Sequence, residues 1–275
     1  MKKLILAITT YNRKDYLERC LNSWFLNRNK DVEYEIIIAD DGSTDDTLAF
    51  CQTLVDNVPL GFPKTTIIKN KRIGVSNQTN TIIKELENRD FDLCFKVDDD
   101  VYFQKQGWDD LYLNAIQETG FQHLIFIPEV FCDKSAEIIK LKSLESRINS
   151  FLLPGLFYTL TPEIIRTVGY FDCRAFGPAH SGHVDYSYRC CHAGFNSAKN
   201  PFDAANSNLF IGNSFDKCKW DVYKTGPLST NDKDAFLAYS FSRIYVPLPT
   251  KIKVPHFWQR IFPLSATLRG ILDVS

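Results

Sequence analysis

Through the first hundred residues of this chain, short apolar runs alternate with amphipathic stripes, and every apolar run stops at a cluster of polar side chains. Residues 4–9 read as a strand buried on both faces. Leu17, Cys20, Leu21, Trp24 and Phe25 follow at i, i+3, i+4, i+7 and i+8, the stripe of an amphipathic helix. Residues 35–39 form a second buried strand, and Ser43 with Asp46 has the form of a capping box opening a helix through Leu48, Cys51 and Val55. Residues 65–69 make a third strand, while Val75, Thr79, Ile82, Ile83 and Leu86 mark a third helix. Residues 92–97 are a fourth strand that runs straight into Asp98-Asp99-Asp100. Repeated strand–helix units predict an α/β fold, a mostly parallel sheet with helices on both faces. Ligands of such sheets bind outside the carboxyl ends of the strands. The polar clusters 9–13, 40–43, 70–74 and 98–100 all fall there.

The second half is less regular. Trp108, Leu111, Ala115 and Ile116 predict a helix, and residues 123–127 a strand. Thr161 as cap, Pro162 as first helical residue and Gly169 as stop frame another helix. A further helix is expected from 183 to 193, ended by Gly194, whereas residues 196–240 are polar and turn-rich and carry no assignable period. Residues 241–275 combine Arg243, Lys251, Lys253, Arg260 and Arg269 with Phe257, Trp258, Ile261 and Phe262. Two readings of that tail stay open: peripheral contact with an anionic membrane, and packing on the domain or pairing into a homo-oligomer. The near balance of 32 basic and 33 acidic residues argues against a nucleic-acid partner. With 44% apolar and 24% charged residues, general disorder is excluded. No run approaches the ~20 apolar residues of a membrane helix, and the apolar start after Lys2 and Lys3 is too short for a signal peptide. Eight scattered cysteines without a Cys-x-x-Cys pair read as reduced core thiols of a cytoplasmic protein.

Asp98-Asp99-Asp100 is the sharpest single feature. In extended chain, side chains i and i+2 share a face, which puts Asp98 and Asp100 together. Carboxylate oxygens suit Mg²⁺ or Mn²⁺, and such ions complete their shell with water and phosphate oxygens. The plainer reading is a solvated acidic turn. Asp40 and Asp41 also read as a helix-start turn in a favourable dipole, and Arg72 by itself as a surface charge. The loops carry neither Gly-x-Gly-x-x-Gly nor the P-loop pattern, which disfavours a dinucleotide or NTPase cradle.

Four motifs taken together resemble, in order and spacing, the family-2 glycosyltransferases of the GT-A fold. They are Ile8-Thr9-Thr10-Tyr11-Asn12-Arg13, Ile38-Ala39-Asp40-Asp41-Gly42-Ser43-Thr44-Asp45-Asp46-Thr47, Asn70-Lys71-Arg72-Ile73-Gly74-Val75-Ser76-Asn77 and Val97-Asp98-Asp99-Asp100. The resemblance continues more weakly through Gly169-Tyr170-Phe171-Asp172 and Val184-Asp185-Tyr186-Ser187-Tyr188-Arg189. It implies a GT-A-type domain over residues 1–215, with a nucleotide-binding half (1–102) and an acceptor half (103–215), and a C-terminal extension (216–275). It implies transfer of a hexosyl or N-acetylhexosaminyl group from a nucleotide-diphosphate sugar, usually UDP-linked, to a hydroxyl of a glycan, lipid-linked or protein-linked acceptor. Surface polysaccharide or glycoconjugate assembly is the setting implied, in the cytoplasm or at the inner face of the membrane. Thr9 and Tyr11 would line the nucleobase pocket, with Tyr11 stacking, and Arg13 closes the same nucleotide-binding motif. Asp40 would accept from the base N–H with Asp41 beside it, and Arg72 would reach the base or the diphosphate. Asp98 and Asp99 would face the ribose and the metal, and Asp100 would bind the metal, Mn²⁺ or Mg²⁺. His256, in Val254-Pro255-His256, resembles the late histidine that completes the metal site in some GT-A enzymes; a neutral imidazole favours Mn²⁺ over Mg²⁺.

Inverting transfer needs a base for the acceptor hydroxyl, and a partly buried carboxylate can serve. Asp185 holds the position that the resemblance implies for it. The family usually shows two adjacent acids there, whereas this chain has His183-Val184-Asp185. An aspartate placed for the helix dipole is the plain alternative, and Arg189 stands at i+4 from it. His180 and His183 flank the acceptor-side loop, and Trp108 is a candidate platform for the acceptor sugar, although its place on a helical stripe also suits the core. His123 and His192 read as structural. Two other functions stay open. A sugar nucleotidyltransferase normally wants a Gly-rich basic loop where this chain has Thr-Thr-Tyr-Asn-Arg. A non-catalytic sugar-nucleotide or glycan-binding protein on the same fold is favoured only by the missing second acid.

Overall fold

The computed structural model describes residues 2–58, 60–132, 137–147, 153–178, 181–214 and 233–248. In chain order its strands and α-helices begin with β1 (Lys3–Thr10), α1 (Lys14–Asn27), β2 (Glu33–Asp40), α2 (Thr47–Asp56), β3 (Thr65–Lys69) and α3 (Val75–Leu86). There follow β4 (Leu93–Asp98), β5 (Val101–Phe103), α4 (Trp108–Thr119), β6 (Ile139–Leu141), β7 (Leu144–Ser146) and β8 (Phe157–Leu160). The described chain closes with α5 (Pro162–Val168), α6 (Cys173–Phe176), α7 (Gly182–His192), β9 (Asp203–Ala204), β10 (Ile211–Asn213) and α8 (Lys233–Phe241).

β1 is buried along seven of its eight residues, so it takes the centre of the main sheet. β2 pairs with it in parallel on one side and β4 on the other. β3 continues the parallel set beyond β2, and antiparallel β8 closes the β4 edge, giving the order β3-β2-β1-β4-β8. Strand progression therefore reverses between β1 and β4, the point at which such a sheet opens a crevice at its carboxyl end. The register sets Thr9 opposite Asp98 on one side and opposite Ala39 on the other, which brings the motifs 9–13, 40–43 and 98–100 to one end of the sheet.

Period two along the strands separates two cores. Leu4, Leu6 and Ile8 face one side with Ile36, Ile38, Phe95 and Val97, under Trp24 of α1, Cys51 of α2 and Trp108 of α4. Ile5, Ala7, Ile37, Ala39 and Cys94 face the other, under Ile82 of α3, Ile164 of α5, Tyr186 of α7 and Phe236 of α8. α8 and the segment after it are thus packed on the domain: Phe236 is buried, and the Val246 N–H donates to Val168 O at 3.0 Å. The seven described cysteines are all free thiols, five of them buried. No described helix is long and apolar enough to cross a membrane.

Two local expectations are overturned. Ser43 does not cap α2: its hydroxyl donates to the Asp40 carboxylate and accepts from the Asn12 N–H at 2.9 Å, and Asp46 stands at the N-cap without a side-chain bond. Residues 123–127 form no strand, only a single bridge from Ile125 to Tyr158, because side chains take over part of the backbone pairing. Thr159 Oγ1 accepts from the Leu124 N–H at 2.7 Å, and Asn196 donates to His123 O at 2.6 Å. His123 is structural as expected. Its Nδ1 lies 2.9 Å from Thr159 O, which can only accept, so that nitrogen carries the proton and Nε2 accepts from the Ser187 hydroxyl at 3.0 Å. Burial lowers its pKa to about 4, which keeps it neutral. α5 is framed as its sequence predicts, with the Thr161 hydroxyl accepting from the Ile164 N–H and Gly169 ending the helix at φ 74°.

Candidate active site

The ends of β1 and β4 are tied together by short polar side chains. Thr9 Oγ1 donates to Asp98 Oδ1 at 2.8 Å, and Thr10 Oγ1 to Asp99 Oδ2 at 2.7 Å. Thr9, expected to line a nucleobase pocket, is instead buried and spent on positioning Asp98. Gln78, which the sequence reading missed, reaches from α3 and donates to both Thr10 O (2.9 Å) and Ala39 O (3.0 Å), satisfying the diverging ends of β1 and β2. Asn12, at φ 50°, accepts from the Thr44 N–H at 2.7 Å, and the Arg13 N–H donates to Thr47 Oγ1 at 3.0 Å, so the loops after β1 and β2 are hydrogen-bonded to each other.

β4 stops at Asp98 and the chain turns at Asp99 and Asp100, so the extended i, i+2 alternation does not carry through the acidic triple. Asp98 is half-buried, whereas Asp99 and Asp100 are buried. Arg13 Nη1 lies 3.2 Å from Asp99 Oδ1 and 3.8 Å from Asp100 Oδ2, bridging the turn. Burial pushes the Asp99 carboxyl up to about 7, against the pull of Arg13 and with the Asp100 charge adding to the rise. Lys96, 2% exposed, pairs with Asp98 Oδ1. It too was missed: a lysine inside an apolar run reads as an interruption, and the available signal was its i, i+2 spacing from Asp98.

Asp40 and Asp41 are both buried and shape the loops. Asp40 accepts from the N–H groups of Gly42 and Ser43, each at 3.0 Å, and from the Ser43 hydroxyl, so both of its oxygens brace their own loop. Asp41 crosses to the loop after β3, accepting from the N–H groups of Ile73 (2.6 Å) and Gly74 (2.9 Å), with Arg72 Nη1 at 3.4 Å. Arg72, at φ 49°, lays its guanidinium over the Tyr11 ring, 3.3 Å from the centroid. The structure thus brings Tyr11, Arg13, Arg72 and the acidic turn to the β1/β4 end of the sheet. Gly74 lets this loop close: its φ is 83°, and a Cβ there would come within 2.5 Å of Pro178 O. Gly74→Ala is expected to cost about 2 kcal/mol, from the left-handed conformation and the clash together. It should lower the melting temperature by several degrees and weaken nucleotide binding; an unshifted calorimetric transition would refute this.

On the acceptor side, two expectations are corrected. Trp108 is fully buried, its ring 4.2 Å from that of Phe103 and 4.7 Å from that of Phe95, so it is core and offers no face to a sugar. Asp185 is fully buried as well. Its Oδ2 accepts from Arg189 Nε at 2.9 Å, and its Oδ1 from Ser240 Oγ at 2.9 Å and Arg243 Nη2 at 3.1 Å. A carboxylate bracketed by two guanidinium groups and shut off from solvent ties α7 to α8. His183, on the first turn of α7, is half-buried. His180 and His256 lie outside the described residues.

No group of three or more histidine, cysteine or acidic side chains that could hold a metal exists among the described residues. The oxygen donors at the β4 tip therefore fit a hard divalent ion only if most of its shell comes from water and a phosphate ligand, the usual habit of Mg²⁺ and Mn²⁺ sites. The sequence profile of Glycosyl transferase family 2 matches residues 5–177. An uncharacterised glycosyltransferase of Acanthamoeba polyphaga mimivirus is 30% identical over 219 residues, covering 76% of this chain and 80% of its own. Among solved structures, S. aureus TarS 1–349 in complex with UDP matches with a TM-score of 0.55 at 17% identity, covering 100% of this chain and 76% of that one. The mannosyltransferase PcManGT from Pyrobaculum calidifontis, in complex with GDP-Man and Mn²⁺, matches with a TM-score of 0.53 at 13% identity, covering 70% and 52%. At such identities the solved structures speak for the fold, and the profile speaks for the family: this chain belongs to glycosyl transferase family 2 and is a glycosyltransferase of the GT-A fold.

Proposed function

We propose that the chain transfers a sugar from a nucleotide-diphosphate sugar, with UDP as leaving group, to a hydroxyl of a glycan or glycoconjugate acceptor, inverting the anomeric carbon with the help of Mn²⁺ or Mg²⁺. The observation that carries this reading is the convergence of Tyr11, Arg72, Arg13 and the turn Asp98-Asp99-Asp100 outside the β1/β4 switch point. Each matches one part of such a donor: an aromatic face for the base, cations for the diphosphate, carboxylates for ribose hydroxyls and a cation. Arg72 covers Tyr11 at 3.3 Å, so a stacking base takes the place of the guanidinium and leaves it to turn toward the phosphates. Asp98 and Asp100 would hold the ion, which when bound supplies positive charge against the departing diphosphate. UDP and GDP-Man with Mn²⁺ in the neighbours' complexes support the donor class. A cytoplasmic setting goes with this reading, in keeping with free thiols at every described cysteine.

The test is a melting-temperature series with UDP-GlcNAc, UDP-glucose and GDP-mannose, each with Mn²⁺ and with EDTA. A bound donor stabilises only the folded chain, so one UDP-sugar at about 100 times its Kd should add about 2.7 kcal/mol in Mn²⁺ and much less in EDTA. A flat response to every nucleotide in both conditions would refute the donor reading.

A further inference from the structure

We propose that His183, not a carboxylate, takes the proton from the attacking hydroxyl. This rests on the donor reading above and concerns the other side of the same reaction. The two described carboxylates of the acceptor-side motifs are both committed elsewhere. Asp172 accepts from the Ala175 N–H at 3.1 Å, the Tyr239 hydroxyl at 2.8 Å and Arg243 at 3.1 Å. Asp185 is fully buried between Arg189, Arg243 and Ser240. His183, two residues before Asp185 and half-buried, is the proton-accepting side chain that the first turn of α7 presents near the crevice.

Two close approaches place it there. Its ring packs on Gly155, where a Cβ would stand 2.6 Å from Cγ and 2.8 Å from Cδ2, and the next residue, Leu156, accepts from the Asp98 N–H at 2.7 Å. The ring therefore lies one residue from the segment hydrogen-bonded to the acidic tip of β4. On the other side, a Cβ on Gly182 would stand 2.8 Å from Ser76 Oγ, and the Ser76 N–H donates to Pro178 O at 2.9 Å. The first turn of α7 is thus seated against the start of α3, directly after the loop of Arg72 and Gly74. His183 stands between the two loops that frame the crevice.

The charged groups on these surroundings are Asp98, Asp99 and Asp100 at the β4 tip with their cations Lys96 and Arg13, Arg72 on the loop before α3, and the buried Asp185 and Arg189 on α7 itself with Arg243 against Asp185. Residues 153–156 and 75–77 bring none. In the step, a lone pair of the acceptor oxygen forms the bond to the anomeric carbon. The bond from that carbon to the diphosphate oxygen breaks and its electron pair leaves with UDP. The hydroxyl proton passes to an unprotonated ring nitrogen of His183, which later returns it to solvent.

Water serves as acceptor for the test, with UDP release from a UDP-sugar in Mn²⁺ as the readout. His183→Asn is expected to keep the donor-induced rise in melting temperature and to lose turnover by about 10²-fold or more. In the wild type, kcat should fall as pH drops through the imidazole range, about pH 8 to 5. His183→Asp restores a proton acceptor, so it should recover part of the turnover and move the acid limb of kcat down by about two pH units, the gap between ordinary imidazole and carboxyl groups. A merely structural histidine would not move that limb. Wild-type turnover with undiminished His183→Asn turnover, or an unmoved limb in His183→Asp, overturns the role of His183 alone. A wild type that binds and cleaves no UDP-sugar overturns the donor reading and this proposal with it.

Discussion

Arg189→Met is expected to lower the melting temperature by about 10 °C. Arg189 is fully buried and sends every arm of its guanidinium to a partner: Nε to Asp185 Oδ2 at 2.9 Å, Nη1 to Val168 O at 2.7 Å and Ile244 O at 3.0 Å, and Nη2 to Tyr170 O at 2.7 Å. Methionine fills much of the volume but takes a donor from three carbonyls, leaving Val168 O with the Val246 N–H, and leaves a buried carboxylate short of one cation. Removing one partner of a buried pair costs about 3–5 kcal/mol, a large share of the 5–15 kcal/mol that holds a typical domain together. For a chain of this size each kcal/mol shifts the transition by about 2–4 °C. Asp185→Leu added to Arg189→Met removes the stranded charge as well, and part of the loss should return, because the two sites are coupled. A single variant that melts within 3 °C of wild type would show that the network carries little stability. By the same geometry, Asp185→Asn should weaken the seam between α7 and α8, so any loss of activity in that variant should come with a loss of stability.

Asp100→Asn is expected to lower turnover of a UDP-sugar by about 10²–10³-fold, the usual cost of losing one preorganised group that meets developing charge, and to abolish the Mn²⁺-dependent part of UDP affinity. The substitution keeps the shape of the side chain and exchanges one carboxylate oxygen for an amide that cannot ligate a hard cation in its place. Asp100 is buried at the turn after β4, with Arg13 Nη1 3.8 Å from its Oδ2, so the change in charge falls on the acidic tip and not on the sheet. Titration of UDP by calorimetry, with Mn²⁺ and with EDTA, separates the two contributions. Equal affinity for wild type and variant in Mn²⁺ would remove Asp100 from the metal site.

Much of the fold was legible because its signals are local. The strands β1 to β4 lie within one or two residues of their apolar runs, and α1, α3, α4 and α5 follow their stripes and caps. The strand at 123–127 was misread because an apolar run reports burial and not its hydrogen-bond partners; here Thr159 and Asn196 take part of the pairing. The capping box at Ser43 failed because the helix starts later, at Thr47, and the Ser43 oxygen accepts from the Asn12 N–H instead. At the site, the motifs pointed to loops that the fold gathers at one end of the sheet, but not to what each side chain holds there. Thr9, Asp40 and Asp41, expected to touch the nucleotide, are buried and hold the loops in place. Trp108 sits on a stripe whose apolar face is the core, so its burial follows from the period.

Short apolar runs alternating with stripes of period 3.6, with polar clusters at strand ends, were enough to determine a parallel α/β sheet and the end at which its polar loops gather. They suffice because burial on both faces leaves each strand little choice of partner environment. Which side chain of α7 is locked into the seam with α8 was decided only in three dimensions. Asp185 and His183 stand two residues apart, but on a helix that spacing turns one into the seam with α8 and the other toward Gly155 and the acidic tip. The partners that make that difference, Ser240 and Arg243, lie more than fifty residues away in the chain, beyond the reach of any local pattern.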